Sequence, residues 1–223
     1  MQDSDYGRLK TELSDGHLKN LYLLYGNEDF LKKALLGKML SMADSKAGYD
    51  LERVRFEKGV TASELEEALN TVSFFGKGKF VILSNTEIFK GQGMREDFEK
   101  VLGKIPSDSH VVFIESNTDK KNGLFIEISK AGFAYSIDMR KSGDLSRYIA
   151  NRFKKHKKRI SFENIHLFME YSGSSLTDIE ADIEKILLYM GTSADVKKEY
   201  IVNLCSGTRE YRIYEMTDYI FNK

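Results

Sequence analysis

Apolar and polar positions follow two rhythms along the first part of the chain, one strand-like and one helical. Leu21-Tyr22-Leu23-Leu24-Tyr25 is a nearly continuous apolar run closed by Gly26, the pattern of a strand buried on both faces. A helix is predicted next. Asn27 reads as its N-cap, Glu28 and Asp29 put negative charge at the positive end of the dipole, and Phe30, Leu31, Ala34, Leu35 and Met39 recur at helical spacing. The unit then repeats. Leu51 to Phe56 alternates as a strand, and Thr61-Ala62-Ser63-Glu64 has capping-box spacing ahead of Leu65, Ala68 and Leu69. Phe80 to Leu83 reads as a strand, with Phe98, Val101 and Leu102 in a helix after it. Val111 to Ile114 is another buried strand, and a helix from about Lys121 to Lys130 leads to a last strand, Phe133 to Ile137. Five strands alternating with helices predict a parallel sheet covered on both faces.

After Asp138 the strand rhythm stops. Asp144 is placed to cap a helix carrying Leu145, Tyr148, Ile149 and Phe153. Ser161 is placed to cap a second, with Ile165, Phe168 and Met169 inward and Gly173 as its stop. A third carries Leu176, Ile179, Ile183, Ile186, Leu187 and Met190 on one stripe and ends at Gly191. The predicted organisation is an α/β domain over 1–140, a small three-helix domain over 141–208, and the start of a third domain over 209–223. The last segment, Tyr211 to Phe221, reads as a helix whose Tyr214, Met216, Tyr219 and Ile220 need partners from outside the chain.

Composition narrows the classes. Hydrophobic residues make up 41% and aromatics 12%, enough for a real core. Thirty-four basic and 34 acidic residues cancel, so any nucleic-acid contact must come from a local patch. Cys205 is the single cysteine, which excludes an internal disulfide and a multi-cysteine zinc site. His17, His110, His156 and His166 have no metal-ligand spacing. Glu180 and Glu184 lie one turn apart beside Lys185 and read as a solvated helix face. Met1 to Asp5 is polar and acidic, unlike a secretory signal, and the apolar runs are too short to span a membrane. A cytoplasmic protein without metal or cofactor is the expectation.

A sheet of this kind followed by a small helical lid is the layout of AAA+ ATPases, so the chemistry of ATP binding is tested on the residues. A phosphate loop needs a Gly-rich turn after the first strand, then Lys for charge and Ser or Thr for magnesium. The place is filled by Gly26-Asn27-Glu28-Asp29-Phe30-Leu31-Lys32-Lys33. Leu31 stands for the second glycine, Lys33 for the hydroxyl, and Glu28 and Asp29 bring like charge. The magnesium-holding acid after Phe80 to Leu83 is replaced by Ser84 and Asn85. Where a lid arginine is expected after Gly173, Leu176 or Thr177 stands. Asn117, at the place of a polar sensor residue, reads as a turn residue. No catalytic residue is predicted. A degenerate nucleotide site and a fold that never held a nucleotide fit these residues about equally well.

Two stretches carry a resemblance to a known family. Leu21 to Leu31 resembles the start of the DNA polymerase III delta subunit, a strand followed by Gly-x-Glu-x-hydrophobic-Leu. Val72-Ser73-Phe74-Phe75-Gly76-Lys77-Gly78-Lys79-Phe80-Val81-Ile82-Leu83 resembles that family's segment in which a small residue and two large apolar residues precede a basic, strand-forming run. Weaker similarity runs through Ser107 to Thr118 and Asp178 to Gly191, including the triplet Glu184-Lys185-Ile186. The resemblance implies an AAA+-like domain with a degenerate site, a lid and a C-terminal collar, most of the collar being absent from a chain that stops at residue 223. It implies a subunit of the polymerase holoenzyme that does not hydrolyse ATP, binds the sliding clamp and opens its ring, and has the other clamp-loader subunits and DNA as further partners. An active AAA+ ATPase or a delta-prime-like subunit is the alternative. The absence of a Ser-Arg-Cys triplet argues against delta-prime.

By resemblance, Val72, Ser73, Phe74 and Phe75 form the clamp-binding tip. The neighbouring Gly76-Lys77-Gly78-Lys79 reads as a flexible, basic and exposed stretch. From composition alone, both rings as ordinary core is the more common outcome. The run Arg152-Phe153-Lys154-Lys155-His156-Lys157-Lys158-Arg159 supplies candidate DNA contacts in Arg152, Lys154, Lys155, Lys157, Lys158 and Arg159. A solvated helix end, favoured by the dipole, accounts for the same run.

Overall fold

The computed structural model of the chain describes residues 5–48, 51–71, 78–91, 95–138, 142–172 and 175–205. Two compact units divide between Asp138 and Met139.

The first unit is a three-layer α/β domain. Its strands are β1 (Leu21–Tyr25), β2 (Glu52–Phe56), β3 (Lys79–Ser84), β4 (His110–Glu115) and β5 (Ala134–Ser136), all parallel in the order β2-β3-β4-β1-β5. Between them run α2 (Asp29–Ala47), α3 (Ala62–Asn70), α4 (Glu96–Leu102) and α5 (Gly123–Lys130), preceded by α1 (Asp5–Ser14). Strand pleating sends Leu21 and Leu23 to one face with Val81, Leu83, Val111 and Phe113. There they pack with Leu65, Leu69, Phe98, Val101, Leu124 and Ile128 from α3, α4 and α5. Tyr22, Leu24, Ile82 and Val112 alternate to the opposite face, which α1 and α2 cover with Leu9, Leu13, Leu31, Leu35 and Met39.

This split follows from handedness. The step from β1 out to β2 runs against the direction of every later step, so a right-handed crossover puts α2 on the face opposite α3, α4 and α5. The reversal leaves a crevice at the C-terminal ends of β1 and β4, the place where open α/β sheets bind ligands.

Several local expectations change. The N-cap of α2 is Glu28, without a side-chain bond, and the Asn27 amide instead donates to Asp138 Oδ1 at 2.8 Å. Ala34 is exposed and Leu36 takes its place inside. The Thr61–Glu64 capping box is present in full. Helix α1 has no counterpart in the sequence reading because only Leu9 and Leu13 face inward. It covers the edge at β5, where Asp5 accepts from the Ser136 amide and Glu12 from the Tyr135 hydroxyl.

The second unit is built of helices among its described residues, with one isolated parallel bridge between Arg159 and Asp195. It comprises α6 (Ser142–Lys155), α7 (Phe162–Tyr171), α8 (Leu176–Met190) and α9 (Lys198–Leu204). A fourth helix, α9, therefore joins the three expected, and its Ile201 is fully buried. Asp144 lies inside the first turn of α6 rather than before it. Ser161 caps α7 by accepting from the Asn164 amide, as expected. Phe153 and Phe168 meet edge to face with ring centroids 6.3 Å apart. Gly173 and the segment Tyr211 to Phe221 lie outside the described residues.

Candidate functional site

The crevice at the ends of β1 and β4 is filled by the protein itself. The chain leaves β1 at Gly26, whose φ of +120° suits glycine, and a Cβ there would sit 2.6 Å from Asp138 Oδ1 and 2.7 Å from the Ile137 carbonyl. The Gly26 amide donates to the Glu115 carbonyl, the Asn27 amide to Asp138 Oδ1, and the Glu28 amide to the Ile137 carbonyl. These are the amides that a phosphate loop would offer to an anion. Here they are engaged by the protein's own oxygens.

Lys32 stands where a phosphate-binding lysine would be. It is only 1% exposed. Its ammonium donates to the Gly26 carbonyl at 2.7 Å and the Glu115 carbonyl at 3.1 Å, and pairs with Asp29 Oδ1 at 2.9 Å. A lysine ammonium has three protons, and three acceptors meet them. The mouth of the loop is negative as well. The Glu28 carboxyl is pushed above the usual range, first by burial and then by the charges of Asp138 and Asp29. A triphosphate entering this place would have to displace internal acceptors from Lys32 and approach three carboxylates.

Glu115, which the sequence reading did not single out, closes the crevice from the end of β4. Its carboxylate accepts from both the amide (2.9 Å) and the hydroxyl (2.7 Å) of Thr86, just beyond β3. The signal available was a lone charge ending an apolar strand. Ser84 is half-buried and Asn85 exposed at φ +50°, so neither supplies a metal-holding carboxylate. Among the described residues no cluster of metal-ligating side chains forms.

Burial pushes the Glu115 carboxyl above its ordinary value, outweighing the Thr86 bonds that pull it down. A carboxyl with a raised folded pKa contributes stability below its unfolded value of about 4.3, and that contribution is lost as pH rises through the folded value. Glu115→Gln is therefore expected to remove this component. Urea titrations of variant and wild type should converge toward pH 4 and separate at neutral pH, with the variant the relatively more stable. A difference independent of pH would refute the assignment.

The tip residues Val72, Ser73, Phe74 and Phe75 lie outside the described residues, as do Gly76 and Lys77. Their flanks are described and differ from expectation. Lys79 is buried, not exposed: its ammonium donates to the Ala68 carbonyl near the end of α3 at 2.6 Å, and its amide to Ser109 Oγ. Gly78 presses on the Asp108 carbonyl so closely that no Cβ fits.

The basic run divides in two. Arg152 pairs through its guanidinium with Glu180, which also accepts from the Tyr148 hydroxyl. Glu180 is 5% exposed, so it is an internal partner and not part of a solvated face. Lys158 donates to the Gly191 and Ser193 carbonyls at the end of α8, and Arg159 forks onto Asp195 at 2.8 and 2.9 Å. Lys154, Lys155 and Lys157 remain exposed and make no ion pair among the described residues. They sit on a Schellman turn, in which the Lys158 amide bonds the Phe153 carbonyl and the Lys157 amide bonds the Lys154 carbonyl. Lys157 takes the left-handed position, φ +58°, where a side chain costs about 1 kcal/mol relative to glycine.

Sheet order and crossover handedness define a protein with an AAA+-like fold. The family described as DNA polymerase III, delta subunit, matches residues 22–137, more than half of the chain. The chain belongs to the DNA polymerase III delta subunit family. No curated protein matches it by sequence. Among solved structures, the DNA clamp loader delta protein of Bacillus subtilis is similar over 97% of this chain and 67% of its own length, at 18% identity and a TM-score of 0.74. Domain III of the Thermotoga maritima replication initiation protein DnaA is similar over 89% of this chain and 88% of its own, at 13% identity and a TM-score of 0.50. These likenesses concern the fold. No helix among the described residues is long and apolar enough to cross a membrane.

Proposed function

We propose that this chain is a clamp-loader subunit that binds the sliding clamp and opens its ring for loading on primed DNA, without hydrolysing ATP. One observation carries the reading: in a delta-family chain, the lysine that would meet a triphosphate is buried in a cage of internal oxygens. The scaffold is then a fixed platform, and its work is binding. Val72, Ser73, Phe74 and Phe75 are the proposed grip, lying between the end of α3 and the start of β3. Two neighbouring aromatic side chains suit an apolar pocket on a partner, where buried anchors are typically worth about 2 kcal/mol each.

Opening a ring that already fluctuates requires no bond chemistry, only preference for the open form. Moving an interface from about 1:99 to 99:1 in favour of open takes a differential affinity of about 10⁴, or about 5.5 kcal/mol. Motor subunits of the loader supply whatever part of that this chain does not.

The test mixes purified chain with the sliding clamp of the same organism, with and without saturating Mg-ATP, and follows binding by calorimetry. A stoichiometric complex of unchanged affinity in both conditions is expected. No complex in either condition would remove the clamp-binding role. ATP turnover by the chain alone would remove the inert platform and favour the rival reading of an active AAA+ ATPase.

A further inference from the structure

We infer that the open edge of the sheet at β2 is an interaction surface, and that its partner is an extended peptide added as a further strand, with apolar side chains on one face and a carboxylate on the other. The inference goes beyond the proposed function and does not depend on it. The two edges of the sheet are treated differently. At β5, α1 covers the edge and its Asp5 carboxylate takes the Ser136 amide. At β2, Glu52–Phe56 pairs with β3 through five successive residues without a bulge, and nothing among the described residues bonds its outer side. A row of unpaired amides and carbonyls on a regular strand is a template for another backbone.

Side chains select what that backbone carries. Val54 and Phe56 pack on the core at the α3 face but remain half-buried, and Val60 extends the same apolar rim. A neighbouring strand with apolar residues on that face completes their burial. Arg53 and Arg55 alternate to the opposite face. Arg53 is engaged by Asp44 at 2.9 Å. Arg55 is exposed and pairs with no acid among the described residues, so it is the position that favours a carboxylate across the strand pair. Glu57 follows the strand directly, which favours a single acid over a run of them.

The same arginines disfavour a second copy of this chain. A two-fold antiparallel pairing centred on Val54 sets Arg53 against Arg55, and one centred on either arginine sets it against its own counterpart. Charges on an edge strand commonly serve to keep copies apart. Here that guard leaves a strand carrying an acid unopposed, and the other edge is closed by a helix instead.

The probe is a capped, fluorescein-labelled peptide, Val-Thr-Val-Glu-Val-Thr-Val, titrated with the full chain and followed by anisotropy. Binding is expected, with slowed exchange at the outward amides of β2. Replacing Glu by Lys in the peptide should weaken it, and Arg55→Gln should cost about fivefold, the upper end for one cross-strand charge pair. Arg55→Glu should reverse the order of the two peptides while its melting temperature stays that of wild type, because the side chain is exposed. N-methylation separates strand addition from simple charge attraction. Methyl groups on the alternate amides that face β2 remove the ladder donors and should abolish binding, whereas the other alternate set should leave it intact. Equal binding of the two methylated peptides, no preference between Glu and Lys, or no binding at all would overturn the proposal. So would a dimer of the free chain in sedimentation with the β2 amides protected, since the edge would then belong to a second copy.

Discussion

Replacing Phe74 and Phe75 together by alanine is expected to weaken clamp binding about 1,000-fold and to leave the melting temperature of the chain unchanged. The magnitude follows from two anchors of about 2 kcal/mol each, since every 1.4 kcal/mol is tenfold in affinity. The decisive part is the second half of the expectation. Were the two rings core residues between α3 and β3, each truncation would cost about 3–5 kcal/mol of stability and the variant would unfold. The two readings thus move different observables. Calorimetric titration against the clamp together with thermal unfolding of the free variant decides between them. A destabilised variant, or one that binds the clamp as wild type does, would remove these residues from the grip.

The described flanks bear on how such a grip would work. The cross-tie from Lys79 to Ala68, the Lys79–Ser109 bond and the close approach of Gly78 to Asp108 tie the start of β3 to α3 and to the chain entering β4. Side chains carried between fixed ends lose less freedom on binding, so more of their contact energy is left as affinity. Sequence reading treated Lys79 as part of an exposed basic stretch. A lysine whose ammonium meets a helix-end carbonyl is indistinguishable by composition from one in water.

The same distinction explains most of what could and could not be read in advance. Three strands, β1, β3 and β4, were legible because they are buried apolar runs, whereas β2 showed itself by alternation. The strand order was not legible, because right-handed crossovers fix the face each helix takes and not which strands are neighbours. Helix α1 escaped notice because it buries only Leu9 and Leu13 and makes its other ties through Asp5 and Glu12. Helix α9 escaped because it is short and its one fully buried residue is Ile201. Glu180 was misread for a physical reason as well. Its charge is matched by Arg152, far away in sequence, and no pattern local to α8 reveals that partner. At the crevice, the lack of a working phosphate loop was legible in Leu31 and Lys33, but the inward bonds of Lys32 were not. Missing motif residues are visible in the sequence, whereas the inward turn of Lys32 depends on the Glu115 carbonyl, brought near only by folding.

Those three bonds make Lys32 the residue of the first unit whose removal should be felt most. Lys32→Ala is expected to lower unfolding stability by about 3 kcal/mol. The change leaves a cavity where the buried stem lay, and it takes a donor from the Gly26 and Glu115 carbonyls, each lost bond to a charged group being worth about 1.5–3 kcal/mol. Asp29 contributes little to the loss, because it is largely exposed and returns to water. Lys32→Met, which keeps the volume and removes only the charge, should fall between wild type and the alanine variant. Urea unfolding followed by circular dichroism gives the order. Amide exchange at β1 and β4 shows whether the loosening begins there. The opposite picture is a vestigial phosphate lysine, free to swing outward. In that case alanine would cost almost nothing, and Mg-ATP at 100 times its dissociation constant would stabilise wild type by about 2.7 kcal/mol. A lysine that serves as the permanent occupant of its own loop excludes both results, because the ammonium cannot hold the β1–β4 crevice together and also be available to a nucleotide.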